Sequence, residues 1–241
     1  MEEQAVKEQV AWACRILAMG GHGDLTLGHV SRFHPETGYC FMKRKGLGLE
    51  EVTPEDVIVV DLDGQRVDGD GDVHLEAVLH TEVYKARPDV GAVVHTHPVY
   101  ATALGSTSAR LEYVSHDAVL FPDGLGLFEG TAELITQPEE GQAVARALGS
   151  RRAVLMRNHG VLVVGKDVPW AVLAALTLER AVQIQFVASV LGPLKTIDPE
   201  MVAQMYPEKY RDSFFVQYWD YLIRKARRAG LGDGMPGASH R

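Results

Sequence analysis

Arg87-Pro88-Asp89-Val90-Gly91-Ala92-Val93-Val94-His95-Thr96-His97-Pro98 is the stretch on which the reading of this chain turns. Ala92 to His97 is short, apolar and β-branched, the mark of a buried strand, and Pro98 suits the first turn of a following helix. Upstream, Leu75, Val78, Leu79, Val83 and Ala86 fall in helical register across Val73–Arg87, and Pro88 closes that helix. Residues two apart on a strand share a face with their Cα atoms roughly 6.5–7 Å apart. His95 and His97 therefore present two imidazoles side by side. Such a pair is either two half-buried rings satisfied by backbone carbonyls or two ligands of one divalent ion.

Outward from this stretch, Val6, Val10, Ala13, Cys14 and Leu17 make the stripe of an amphipathic helix that Gly20, Gly21 and Gly23 stop. Gly28 to Phe41 reads as a hairpin turning at His34-Pro35-Glu36-Thr37-Gly38, and Val57–Asp61 as a strand after a helical turn at Pro54. Ala153 to Val164 is an apolar strand pair broken at Asn158-His159-Gly160. A long helix is predicted over Asp167–Leu191, with Asp167 as N-cap, Pro169 in the first turn and Gly192-Pro193 beyond the end. A last helix, about Glu208 to Ala229, carries Phe214, Phe215, Tyr218, Trp219 and Leu222, an apolar face that predicts a homo-oligomer. Helices and strands alternate with no linker and no repeat, so residues 1–229 read as one α/β domain and 230–241 as a loose tail.

The chain of 241 residues carries 24 Lys and Arg against 32 Asp and Glu, a net charge of −8. That acidity argues against nucleic acid as a partner, because phosphate binding needs a basic surface. No apolar run reads as a membrane span and the first residues have no signal-peptide character, so a cytoplasmic protein without a membrane partner is expected. Cys14 and Cys40 are too few and too far apart for a thiolate zinc site. No G-x-G-x-x-G follows a strand and no phosphate-binding lysine loop occurs.

A third histidine, His159, lies in a similar setting between two strands, and three imidazoles with an open fourth position is the pattern of a catalytic metal site. Histidine ligands suit zinc, and also manganese, iron or cobalt. Glu76 and His80, four apart on the helix entering the H-T-H strand, are either a solvated stripe or inward-facing groups. A carboxylate beside a divalent ion has a use as general acid/base.

The order Gly28-x-x-Ser31-Arg32, Glu76-x-x-x-His80, the R-P-D-V-x-A-V-V-H-T-H-P string and Asn158-His159-Gly160 resembles the class II aldolase/adducin family over about Val6 to Leu191. The resemblance implies a three-layer α/β/α domain around a mainly antiparallel sheet, and a tetramer with active sites between subunits. It also implies one divalent metal ion per subunit on His95, His97 and His159, with Glu76 as acid/base. It embraces sugar-phosphate aldolases, a 4-epimerase that has Asp where this chain has Glu76, aromatic-acid decarboxylases and non-enzymatic adducins. Relatives of the sugar-phosphate type hold the substrate phosphate with G-N-x-S, a T-G pair and two serines before the glutamate. Here His29 replaces the Asn beside Ser31, Lys45-Gly46 replaces Thr-Gly, and His74-Leu75 replaces the serines. His29, Arg44, Lys45 and His74 form either an anion pocket for a carboxylate or phosphate or, at Arg44 and Lys45, solvated loop charges. His116 and Asp117 fall where relatives donate an acid/base to a neighbouring subunit's site, and His22 and Asp24 fall near the anion pocket. The expected activity is that of a metal-dependent carbon–carbon lyase acting on a small anionic substrate. A decarboxylase or aldolase for a hydroxylated acid stands ahead of a sugar-phosphate aldolase or an adducin-like binding module.

Overall fold

The first hairpin is the frame of the molecule: His29–His34 (β1) pairs antiparallel with Tyr39–Lys43 (β2) across the turn at Pro35–Gly38, Ser31 opposite Met42. β2 pairs with Val57–Val60 (β3), which carries the short edge strand Arg66–Asp68 (β4). On its other side β1 pairs with Ala92–Thr96 (β5), which pairs with Gly160–Gly165 (β8), itself the partner of Ala153–Met156 (β7). Gly126–Phe128 (β6) joins β7 in the sheet's one parallel pairing, completing an eight-stranded sheet of order β4-β3-β2-β1-β5-β8-β7-β6. The computed structural model describes residues 3–235.

Alternation along each strand sorts the side chains into two cores. Ala92 and Val94 of β5 join Val161 and Val163 of β8 against Glu3–Leu17 (α1), Val99–Gly105 (α3) and Val168–Leu191 (α5). Val93, Leu162 and Val164 face Val78–Ala86 (α2) and Pro138–Leu148 (α4). The result is the expected three-layer α/β/α arrangement around a mainly antiparallel sheet. Asp167 caps α5 by accepting from the Trp170 N–H, with Pro169 in the first turn, as its sequence predicts.

By length and apolar composition alone, α5 meets the requirement for a membrane span, which the sequence reading missed. Its buried face, Trp170, Val172, Ala175, Leu178 and Val182 among others, instead packs into the first core.

Four expectations need correction. The helix predicted from Val73 begins at Val78, because Ala77 N–H donates to the His74 carbonyl and Leu79 N–H to Glu76, bonds of tight turns that hold 74–77 outside the helix. Pro98 caps α3 with extended backbone and stands before its first turn. A helix the sequence reading did not predict, Pro199–Lys209 (α6), precedes Tyr210-Arg211, and the last predicted helix starts only beyond that break, as Asp212–Arg228 (α7). Its aromatic face is also not left bare. Phe215 and Trp219 are buried within the chain, and Phe215 stacks on Trp170 with ring centroids 3.5 Å apart. Beyond α7, Met235 is buried and Arg15 donates to the Leu231 carbonyl. Residues 236–241 of the expected tail lie outside the described residues.

The stack ties α7 to α5, beside Trp219, Leu222 and Ala226 in the first core. Phe215→Ala is expected to destabilise the protein by about 3 kcal/mol, read as a lowered urea midpoint, with limited proteolysis appearing first around residues 205–228.

Candidate active site

Three segments converge where β1, β5 and β8 meet. His29 and His95 are direct cross-strand partners on β1 and β5, on the sheet face that looks toward α2. His97, just past the end of β5, continues that face, and His159 occupies the turn between β7 and β8. Asn158 takes the left-handed conformation there, at φ 56°. Gly160 follows because a Cβ would lie 2.5 Å from the His97 ring and 2.7 Å from the Thr96 carbonyl. The glycine allows the strand ends to close on each other.

His95, His97 and His159 each offer a ring nitrogen within 4.8 Å of the others. His95 Nδ1 lies 3.0 Å from the Val161 carbonyl, so it carries the proton and leaves Nε2 as a lone pair. His97 Nδ1 lies 3.1 Å from the Asp24 carboxylate, with the same consequence. The two Nε2 atoms face each other at 3.2 Å. Two lone pairs at that distance repel unless a cation lies between them. Tetrahedral ligands at zinc–nitrogen bond lengths would be about 3.3 Å apart. His159 Nδ1 is buried with no partner, and its Nε2 lies 3.4 Å from Glu76 Oε1. The donor set thus fits a divalent ion held by His95, His97 and His159. Glu76 Oε1 accepts from the Ile135 N–H and Oε2 lies 3.5 Å from His95 Nε2. Burial pushes this carboxyl up, but the adjacent His159 and His95 rings and the Ile135 N–H outweigh it and hold Glu76 well below the usual carboxylate range.

Beside this group His29 packs on His74 at 4.4 Å, His80 at 4.8 Å and His95 at 5.1 Å between ring centroids. Burial, reinforced by the neighbouring rings and Lys43, lowers the pKa of His29 well below its ordinary value and that of His74 to about 3. Lys43, which the sequence reading passed over, is fully buried at the end of β2. Its ammonium lies 3.2 Å from His74 Nε2 and 3.3 Å from the Thr26 carbonyl, and burial lowers its pKa. A lysine closing an otherwise apolar strand was the available signal.

The other expected residues divide. Arg44 is paired through Nε with Asp56 at 2.9 Å. Lys45 and Gly46 are exposed, tied down where the Lys45 N–H donates to the Asp72 carbonyl. Ser31 is completely buried, its hydroxyl held between His80 and Tyr84. Asp117 pairs with Arg180 on α5 and the His116 carbonyl accepts from Tyr210, both away from the histidine cluster of their own chain. His22 lies on the α5 side of β5, 2.9 Å from Thr96 Oγ1, with its pKa lowered to about 4 by burial.

Residues 8–186 match the class II aldolase and adducin N-terminal domain family. The chain belongs to that family. Its fold superposes on the L-fuculose 1-phosphate aldolase from Glaciozyma antarctica PI12 with a TM-score of 0.86 and 26% identity, covering 97% of this chain and 92% of the other. A 5-deoxy-D-ribulose 1-phosphate aldolase of Bacillus thuringiensis is 29% identical over 86% of this chain and 96% of its own length. The decarboxylase NovR of Streptomyces niveus is 32% identical over 62% of this chain, a match that spans 56% of that relative. Class II aldolases are lyases that bind a divalent metal, and this member has a histidine-rich site of the kind such an ion needs.

Within the class II aldolase fold here, Asp24 is the group that fixes the His97 tautomer. Asp24→Ala is expected to weaken zinc binding roughly 10–100-fold without unfolding the domain, measured by competition with a chromogenic chelator and by circular dichroism.

Proposed function

We propose that this protein is a divalent-metal-dependent carbon–carbon lyase acting on a hydroxylated, non-phosphorylated acid, as a decarboxylase or an aldolase. The observation that carries the reading is the pair of Nε2 lone pairs of His95 and His97, 3.2 Å apart, with Glu76 within 3.5 Å. His95, His97 and His159 would hold the ion, zinc first, with manganese, iron or cobalt also suited to such ligands. When bound, the ion draws electron density from substrate oxygens and so favours the negative charge left when a carbon–carbon bond breaks.

The chain's own groups do the rest. Ile135 anchors Glu76 Oε1, which leaves Oε2 as the oxygen placed to take or return a proton. His29, His74 and the Lys43 ammonium form a pocket of bases beside it, where the sugar-phosphate pattern has an amide and small hydroxyls. A cation among neutral donors suits a planar carboxylate. Arg44 is left out of this pocket, and Lys45-Gly46 stand at its exposed loop.

A sugar-phosphate aldolase is the second reading, favoured by the Bacillus relative, whose name states that activity and nearly all of whose length is matched. An adducin-like binding module would need no metal and leaves the lone-pair arrangement without a purpose.

We also propose a homotetramer in which His116 or Asp117 reaches a neighbouring site. With Phe215 and Trp219 packed inside the chain, the support shifts to α5, whose end exposes Phe186, Val187, Val190 and Leu191. A monomer by light scattering at working concentration would sink the assembly and the neighbour role together.

The reaction is tested by supplying zinc or manganese and a panel of ketose phosphates and hydroxylated aromatic dicarboxylates, following aldehyde and carbon dioxide. Carbon dioxide from the aromatic acids, or aldehyde from an unphosphorylated substrate, is expected; efficient cleavage of ketose phosphates alone would select the second reading. His95→Ala, His97→Ala and His159→Ala should each lose most of the metal while staying folded. Glu76→Gln should keep metal and substrate but lose turnover by roughly 10²–10⁴-fold.

A further inference from the structure

Behind His29 runs a chain of hydrogen bonds that the roles above do not use. The Tyr84 hydroxyl lies 2.7 Å from Ser31 Oγ, Ser31 Oγ lies 2.6 Å from His80 Nδ1, and His80 Nε2 lies 2.7 Å from His29 Nδ1. All four residues are buried: His29 is 2% exposed, Ser31 and His80 0% and Tyr84 5%. Each link holds one proton, and only two directions also give the buried Ser31 proton an acceptor within the chain.

Run outward, His29 Nδ1–H donates to His80, His80 Nδ1–H to Ser31, and Ser31 to Tyr84. The Tyr84 proton then has no acceptor among the described residues, and a bare buried donor is the costly case. Burial also raises the pKa of the phenol well above its ordinary value, so that proton is not shed. Run inward, Tyr84 donates to Ser31, Ser31 to His80 Nδ1, and His80 Nε2–H to His29 Nδ1. Every proton meets a lone pair, and the spare one lands on His29 Nε2, at the end of the chain that faces the site.

We infer that the chain is polarised inward, so that His29 presents Nε2–H as a fixed donor to a substrate oxyanion, with Ser31, His80 and Tyr84 as the positioning residues that hold this tautomer. A consequence follows for the metal. Two groups of side chains have the spacing to hold an ion, His95 with His97 and His159, and His29 with Glu76 and His95. A His29 ring whose Nδ1 accepts from His80 and whose Nε2 carries a proton has no lone pair to give. The second group is thereby ruled out as a ligand set. Its 4.8 Å spacing becomes instead the room in which a substrate oxygen meets His29, beside Glu76.

The tautomer stands on the hydrogen bonds alone, whereas the substrate oxyanion rests on the proposed lyase function. The test is two-bond ¹H–¹⁵N correlation spectroscopy of ¹⁵N-histidine-labelled protein, metal-free and zinc-loaded, assigned with His29→Gln and His80→Gln. The expected spectra show the proton of both rings on Nε2, with zinc shifting His95, His97 and His159. A proton on His29 Nδ1, a mixture of tautomers at that ring, or zinc on its Nε2 would overturn the inference. Ser31→Ala should scramble the tautomers of His80 and His29; an unchanged pattern would remove Ser31 and Tyr84 from the positioning role, and if this variant does not fold the wild-type spectra decide. For the ligand half, oxalate serves as the probe anion in calorimetry of zinc-loaded protein. His29→Phe is expected to weaken it roughly tenfold or more, and undiminished affinity would overturn the donor role. If the wild type takes no oxalate, the lyase reading and the oxyanion fall together, while the spectra settle the tautomer separately.

Discussion

Six imidazoles, His29, His74, His80, His95, His97 and His159, touch ring to ring in one continuous group. Loss of water and the neighbouring rings both penalise the imidazolium form at His29, His74, His80 and His97. Neutral imidazole has one donor and one acceptor, so the surroundings must supply a matching partner for each nitrogen. The Val161 carbonyl, Asp24, Ser31 and Lys43 are those partners. They come from four separate segments, and the sheet register that sets His29 opposite His95 brings them into reach.

The same accounting separates the charges that act in the site from those that only frame it. Arg44 is neutralised by Asp56, and Asp117 by Arg180. What remains against the histidines is two carboxylates, Glu76 beside His95 and His159 and Asp24 on His97, and one ammonium, Lys43, beside His74. On the proposed lyase reading, a substrate here would meet neutral ring donors backed by one buried ammonium, Lys43.

Much of this was legible in the sequence, and the limits have physical causes. The H-T-H strand, the hairpin and the Asn158-His159-Gly160 turn carry short-range signals, a period of two or a residue suited to positive φ, and these fix their own local structure. The start of α2 was misplaced because Leu75 fits the helical period while the i+3 bonds around His74 and Glu76 do not announce themselves in residue type. Lys43 was passed over for Lys45 because a lysine's burial is decided by what covers the strand end, a long-range property. Ser31 stands at the serine of the G-N-x-S pattern, and that local stretch gives no hint that Tyr84, 53 residues on, reaches it. The aromatic face of α7 was read as exposed because its cover, Trp170, lies on a distant helix.

The site is also assembled from widely separated stations along the chain: Asp24, His29, Lys43, Glu76, the pair at 95 and 97, and His159. Contacts of such long sequence separation close late in folding. During synthesis the first two histidines can leave the ribosome well before the third, and the β5–β8 ladder that aligns them awaits residues 161–165. Bringing the three histidines together is therefore an event of the finished domain, and the order of translation itself delays it until the sheet is whole.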